Sequence, residues 1–257
     1  MADEWALRAI LHGSGRATTT RRVYACIGNG LWPSPGILSV RAAGGRWLAG
    51  DGSYRSERPE LDRLRDVGVE LVQADFTREE EVGAVVTALA AHEDLALIIH
   101  NASAFEPQAA DPAVQLAQFD QFYRVHMAAP FQLNRALAPA LARQPNGGII
   151  HITDIYIHAP APQFAAYVAT KAGAHSLAMS FARELAPAVR VNTIEPGPIL
   201  FLDEHGDDWR QQVLAKTPLA REGGLEPIWQ AVQMLMKNDY MTGASIRVDG
   251  GRALAVI

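Results

Sequence analysis

The sequence predicts an α/β fold, a parallel sheet flanked by helices, and three observations carry that prediction. From Ser53 onward, short apolar runs of strand length alternate with longer stretches of helical period. One of the short runs, Leu95–His100 (LALIIH), is apolar almost throughout, as a parallel strand buried on both faces must be. The chain is 257 residues long and 49% hydrophobic, which suits one α/β domain around a large core.

Composition removes several classes of function. A net charge of −5 and a pI near 5.9 leave no electrostatic footprint for nucleic acid or an anionic membrane surface. The single cysteine, Cys26, excludes an intramolecular disulfide framework. No apolar run reaches membrane-spanning length, and Asp3 and Glu4 stand where a signal peptide would carry bases. The eight histidines are scattered without metal-ligand spacing, so no metal site is expected. These points together predict a soluble cytoplasmic protein.

The first 52 residues differ from the rest. Residues 5–50 hold no Asp or Glu, where the chain's own average would place about five. Six arginines, three tryptophans and scattered glycines give that span no sustained period of 3.6 or 2. A dinucleotide fold needs its first strand, glycine turn and first helix here, because the turn brings backbone N–H groups to the pyrophosphate. Gly13-Ser14-Gly15 and Gly28-Asn29-Gly30 are the candidates for that turn, and both are short, weak signals. The abrupt change near Asp51, with 20 arginines and three lysines in the chain, also fits a shifted reading frame in a GC-rich gene. A glycine-rich turn after an apolar strand in another frame upstream of Ser53 would establish that reading, and its absence from all frames would exclude it.

Beyond Asp51 each element is legible. Ser53 to Ser56 mark the end of the second strand, with Arg55 and Ser56 at its tip, and residues 59–67 form a short charged helix. An arginine at that strand end suits a 2′-phosphate, where an acid would instead hold ribose hydroxyls. Residues 69–76 (VELVQADF) are the third strand, with Asp75 at its carboxyl end, and residues 79–92 an amphipathic helix. The strand Leu95–His100 delivers Asn101-Ala102-Ser103-Ala104-Phe105. A long helical region, 112–143, contains His126. An apolar strand from Ile149 ends near Asp154, thirteen residues before Tyr167. Tyr167 and Lys171 stand four apart, so they share one helix face. A phenol with an ammonium one turn away is a proton donor for neutral pH, because positive charge favours the phenolate. Residues 189–194 are a further strand, followed by Pro196-Gly197-Pro198-Ile199. Residues 202–214 are a polar candidate lid, helical beyond Asp207. Residues 227–237 are the last helix, and a closing strand leads into Asp249-Gly250-Gly251.

This order of strand, polar residue, Tyr-x-x-x-Lys helix and Val-Asn-x-Ile-x-Pro-Gly resembles the short-chain dehydrogenase/reductase superfamily. Asn-Ala-Ser-x-aromatic at 101–105, aspartate at 154 and the run from Ile199 to Gln212 are similar to its pteridine reductase and dihydromonapterin reductase branch. The resemblance covers residues 53–252 of what it implies is one domain, 1–257, with 1–52 atypical. It implies a Rossmann-type doubly wound sheet and NADPH as cofactor, held by Arg55, Ser56, Asp75, Asn101, Ser103, Tyr167, Lys171, Pro196, Gly197 and Ile199. It implies catalysis by Asp154, Tyr167 and Lys171 on a dihydropterin resting against Ser103 and Phe105. The product would be a tetrahydropterin, with weak dihydrofolate reduction beside it, and the closing strand implies a homodimer or homotetramer. Two departures stand out: Asp154 where the superfamily has serine, and His126 where it has asparagine. A carboxyl can relay a proton to a ring nitrogen, which a serine hydroxyl is too weak an acid to do. The plainer reading of Asp154 is a strand-end cap, and that of His126 a satisfied interior histidine. The competing functions are a general carbonyl or oxoacyl reductase and a non-catalytic relative that has lost its cofactor loop.

Overall fold

The computed structural model describes residues 22–26, 41–42, 46–47, 49–57, 59–66, 68–201 and 205–256. Seven strands form one sheet: β1 (Arg22–Cys26), β4 (Ala49–Tyr54), β5 (Glu70–Gln73), β6 (Leu95–His100), β7 (Gly148–Ile152), β8 (Arg190–Pro196) and β9 (Ser245–Val248). Their order is β5-β4-β1-β6-β7-β8-β9, and every neighbouring pair is parallel. The order reverses between β1 and β6, which defines a doubly wound sheet with its crevice at the carboxyl ends of the strands. A separate ladder joins β2 (Arg41–Ala42) to β3 (Arg46–Trp47).

The period of two along each strand sends successive side chains to opposite faces, so both faces need cover. Tyr24, Ile98 and Ile149 join one core, while Val23, Ala25, Ile99 and Ile150 join the other. The first core is covered by α2 (Glu79–Ala90), α4 (Ala129–Leu141) and α5 (Ala165–Leu185) through Val85, Leu133, Leu137 and Phe181. The second is covered by α1 (Pro59–Asp66) and α7 (Leu225–Lys237) through Leu61, Leu64, Ile228 and Val232. Helix α3 (Pro112–Tyr123) starts with Asp111 accepting from the Ala113 N–H at 2.8 Å and with Pro112 in its first turn. A π-helical turn, Arg124–Ala128, joins it to α4, and α6 (Asp207–Ala215) and α8 (Arg252–Val256) complete the described elements. Among the described residues, no helix is long and apolar enough to cross a membrane.

Two sequence expectations change. A strand does form before Ser53: Arg22–Cys26 occupies the centre of the sheet, paired with β4 and β6. Five residues are too few to show a period inside an arginine- and glycine-rich span. Its place is pinned by Arg22, which reaches Asp51 at 2.6 Å, Glu70 at 3.0 Å and Asp94 at 3.2 Å. Both candidate glycine turns, 13–15 and 28–30, lie outside the described residues. The third strand is shorter than 69–76 and ends at Gln73, because Asp75 takes the chain into a turn. Its carboxylate accepts from the Thr77 N–H at 2.9 Å and from the Thr77 hydroxyl at 2.8 Å.

Beneath the carboxyl ends of β6 and β7 lies a polar network. His100 and His151 are register partners, and Asn134 of α4 bridges them. Its Oδ1 is 2.7 Å from His100 Nε2 and its Nδ2 is 3.2 Å from His151 Nε2. All three are buried. Burial lowers the His100 pKa to about 4 and moves His151 well down, so both rings are neutral at pH 7. An imidazole depressed in the native state stabilises the fold above its unfolded pKa, and that stability drains away as pH falls toward the native value. For His100 the window runs from the ordinary 6.5 down to about 4, and the loss is about 3 kcal/mol. Urea denaturation from pH 7.5 to 4.5 should therefore show a steep fall in stability. His100→Gln, which keeps a partner for Asn134, should flatten that fall, and an identical slope in the variant would contradict this account.

Candidate active site

Four segments meet at the crevice: the loop after β6, the π-helical turn, the segment after β7 and the first turns of α5. Asp154 leaves β7 in extended conformation, two residues past the last paired residue. Its Oδ1 accepts from the Tyr156 N–H at 2.8 Å, capping a short 3₁₀ turn, Ile155–Ile157. Its Oδ2 accepts from the Tyr167 hydroxyl, also at 2.8 Å. One carboxylate oxygen thus serves the cap and the other meets the phenol. The cap fixes the rotamer that delivers the second oxygen to the phenol.

Tyr167 and Lys171 share the inner face of α5, and both are buried. The ammonium of Lys171 donates to the Ile152 carbonyl at 3.0 Å and lies 5.8 Å from the centroid of the Tyr167 ring. Burial draws its pKa down to about 8, against the pull of Asp154. For the phenol, the structure departs from the expectation of a pKa lowered by lysine. Burial and the Asp154 carboxylate hold Tyr167 well above its ordinary value, with Ser103 acting in the opposite direction. Loss of water around Asp154 raises that carboxyl as well, while its hydrogen bonds from Tyr156 and Tyr167 and the Lys171 charge oppose the rise. Phenol and carboxyl thus share one hydrogen bond in a desolvated place where each favours its protonated form.

His126 holds this arrangement from behind. The π-helical turn, closed by the Ala129 N–H on the Arg124 carbonyl, presents the imidazole to the loop after β6. Its Nε2 accepts from the Ala104 N–H at 3.2 Å and lies 3.1 Å from the Ser103 hydroxyl. Its Nδ1 is 2.8 Å from the Thr170 hydroxyl, which itself donates to the Tyr167 carbonyl at 2.9 Å. With Thr170 already donating, Nδ1 carries the proton and Nε2 is the acceptor, an assignment made from the network. Burial, with Lys171 second, moves its pKa well down, so the ring is neutral. One imidazole ties Ser103 and Ala104, through Thr170, to the backbone of α5. Phe105 is brought edge-on to Tyr167 at 4.9 Å and lies 4.8 Å from Phe164.

The remaining expected residues fall along the same sheet edge. Arg55 and Ser56 are exposed just beyond β4, Asp75 follows β5, and Asn101 follows β6. Pro196 closes β8, and Gly197 packs so tightly that a Cβ there would sit 2.7 Å from Asp249. Ile199 is buried behind them. Over this edge the candidate lid brings Phe201 to 5.4 Å from Trp209, and His205 to 4.4 Å from Trp209; residues 202–204 lie outside the described residues. The sequence reading missed Glu195, a buried acid in the run Val191-Asn192-Thr193-Ile194-Glu195-Pro196. Its signal was available: a carboxylate inside an apolar parallel strand must have a partner.

A family model described as Enoyl-(Acyl carrier protein) reductase matches residues 41–253. This chain is a short-chain dehydrogenase/reductase. Among its relatives, the dihydromonapterin reductase of Klebsiella pneumoniae is 37% identical over 206 residues, which are 79% of this chain and 85% of that protein. That of Escherichia coli K12 is 37% identical over 207 residues, with the same shares. The crystal structure of FolM Alternative dihydrofolate reductase 1 from Brucella canis, complexed with NADP, superimposes with a TM-score of 0.77 at 26% identity. That superposition covers 93% of this chain and 97% of the other. Within this short-chain dehydrogenase/reductase the hydrogen bond between Tyr167 and Asp154 has a consequence independent of turnover. Followed by ultraviolet absorbance, Tyr167 should remain protonated above the other tyrosines in the wild type. In Asp154→Asn it should titrate at a lower pH, because the anion that opposes its ionisation is gone. An unshifted or higher midpoint would contradict the coupling.

Proposed function

We propose that this protein reduces a dihydropterin with NADPH, most specifically dihydromonapterin to tetrahydromonapterin, with weaker action on dihydrofolate. The observation that carries the reading is the 2.8 Å hydrogen bond between the Tyr167 hydroxyl and the Asp154 carboxylate. Reduction of a C=N bond puts a hydride on carbon and a proton on nitrogen. A phenol and a carboxyl that both favour their protonated forms suit that second delivery, whereas a serine hydroxyl offers a carbonyl substrate only a hydrogen bond. The half-buried face of Phe105 is a partner for a flat heteroaromatic ring. Relatives named dihydromonapterin reductase and FolM alternative dihydrofolate reductase support the same substrate class.

The donor set fits a nicotinamide dinucleotide. The carboxyl ends of β5, β4, β6 and β8 carry, in order along the edge, an acid, an exposed arginine, an amide and a Pro-Gly turn. Arg55 and Ser56 would hold a 2′-phosphate, Asp75 the adenine, and Asn101 and Ser103 the central part. Lys171 and Tyr167 would hold the ribose, and Pro196, Gly197 and Ile199 the nicotinamide end. When bound, NADPH supplies the hydride. Tyr167 and Asp154 hold the proton at the phenol oxygen and Oδ2, Lys171 keeps a positive charge beside them, and His126 fixes the loop that carries Ser103 and Phe105. A homo-oligomer has support in the exposed apolar side chains Leu116, Phe119 and Tyr123 of α3 and Phe131 of α4.

The test is NADPH oxidation by the purified chain with dihydromonapterin and, in parallel, a 3-oxoacyl thioester. The reading expects the pterin to be preferred by about an order of magnitude or more in kcat/KM. Preference for the thioester would favour the carbonyl reductase, and absence of NADPH binding the non-catalytic relative. Arg55→Ala should weaken NADPH binding by about tenfold or more and leave NADH nearly unchanged, since only the former carries the 2′-phosphate. Equal losses in calorimetric titrations with both cofactors would return Arg55 to the solvent surface.

A further inference from the structure

Behind the catalytic segment lies a second charged cluster with no part in the chemistry so far. Glu195, the sixth residue of β8, is 2% exposed. Its Oε2 is 3.0 Å from His158 Nε2 and 3.5 Å from Arg247 Nε. Its Oε1 has no hydrogen-bond partner among the described residues, with His175 Nε2 3.9 Å away. These partners come from three directions. His158 ends the 3₁₀ turn that Asp154 begins, His175 lies one helical turn after Lys171 on α5, and Arg247 is the register partner of Glu195 on the edge strand β9. His175 Nε2 lies 2.9 Å from the Ser245 hydroxyl instead, and Ser245 also accepts from the Thr193 hydroxyl at 2.9 Å. A buried carboxylate held at one oxygen and left open at the other is expensive unless its charge is used.

We infer that Glu195 is a positioning residue for Asp154: through His158 it ties down the far end of the Asp154 turn and sets a carboxyl group of β8 beside that turn. This rests on Asp154 as proton donor, the reading proposed above. The tie has a plain geometric cause. His158 is four residues from Asp154, so a hydrogen bond at 3.0 Å closes the turn against β8 and limits how far the Asp154 carboxyl can swing. Asp154 is held by Tyr167 from α5 and by the Tyr156 N–H of its own turn, and Lys171 of α5 and Glu195 of β8 act on it electrostatically. Lys171 favours the carboxylate and Glu195 opposes it. The balance between a cation on the helix and an anion on the strand thus sets how readily Asp154 gives up its proton. His158 and Arg247, both partly exposed, approach Glu195 from the solvent side.

The test reads the Asp154 carboxyl directly, so it stands apart from the substrate reading. Carbon-13 NMR follows the aspartate side-chain carboxyls of the full-length chain across pH, with the Asp154 signal identified by its loss in Asp154→Asn. Glu195→Gln should lower the Asp154 midpoint by about 0.5 to 1 pH unit, while Glu195→Asp, which keeps the charge, should move it by less than half as much. In dihydropterin turnover, the decline of kcat with rising pH should begin correspondingly lower in Glu195→Gln. An Asp154 midpoint unchanged or raised in Glu195→Gln overturns the assignment. If that variant does not fold, His158→Ala at the partly exposed end of the turn replaces it. Cutting this tie should move the Asp154 midpoint, and no movement overturns the assignment. If Glu195→Gln shows the NMR shift but the wild-type protein reduces no pterin, the role of Glu195 is supported and the reductase reading is contradicted instead.

Discussion

The site depends on one hydrogen bond made where water is scarce. In bulk water a phenol and a carboxylate would each be solvated and gain little from meeting. At the carboxyl end of β7 the surrounding protein raises the proton affinity of both, and the 2.8 Å contact between Tyr167 and Asp154 becomes the best use either has for its polar atoms. Everything nearby serves that contact. The Tyr156 N–H orients one carboxylate oxygen, α5 presents the phenol, and Lys171 supplies the charge that prevents the pair from holding its proton too tightly.

The scaffold makes such a contact possible through the geometry of a parallel sheet. All seven strands run the same way, so their ends gather on one edge, where loops from distant parts of the chain become neighbours. The edge is stiffened by neutral polar groups. His126 bridges the loop after β6 to α5, and Asn134 joins His100 to His151 beneath them. Because these imidazoles are uncharged, they can be buried at modest cost and still satisfy one another. The same choice makes the fold sensitive to acid, so stability and site geometry share one dependence on pH.

How much of this was legible in the sequence follows from local signal strength. The strand Leu95–His100 was readable to the residue because every one of its side chains is buried, which leaves an unbroken apolar run. Helix α5 was readable from the spacing of Tyr167 and Lys171, and the aspartate at 154 from its place before them. Strand β1 was not readable, since five residues with an arginine at one end carry too little pattern, and its position is set by ion pairs to Asp51, Glu70 and Asp94 across the sheet. The third strand was overestimated because an Asx turn at Asp75 leaves no apolar trace. The part played by His126 was open for a different reason: its partners Ser103, Ala104 and Thr170 lie 22 to 44 residues away in the chain. No local pattern encodes such contacts. The same holds for Glu195, whose partners His158, His175 and Arg247 come together only in the folded chain.

The account stands or falls on whether Asp154 carries the proton. Asp154→Asn keeps the size of the side chain and its cap on Tyr156 but removes the exchangeable acid. The measurement is kcat for dihydropterin reduction in this variant, together with cofactor affinity by fluorescence titration and substrate affinity in the presence of oxidised cofactor. The account predicts a fall in kcat of about a hundredfold or more with both affinities nearly unchanged, as loss of a general acid gives. Turnover within a few-fold of wild type would show that Asp154 is only a turn cap and that the proton comes from elsewhere.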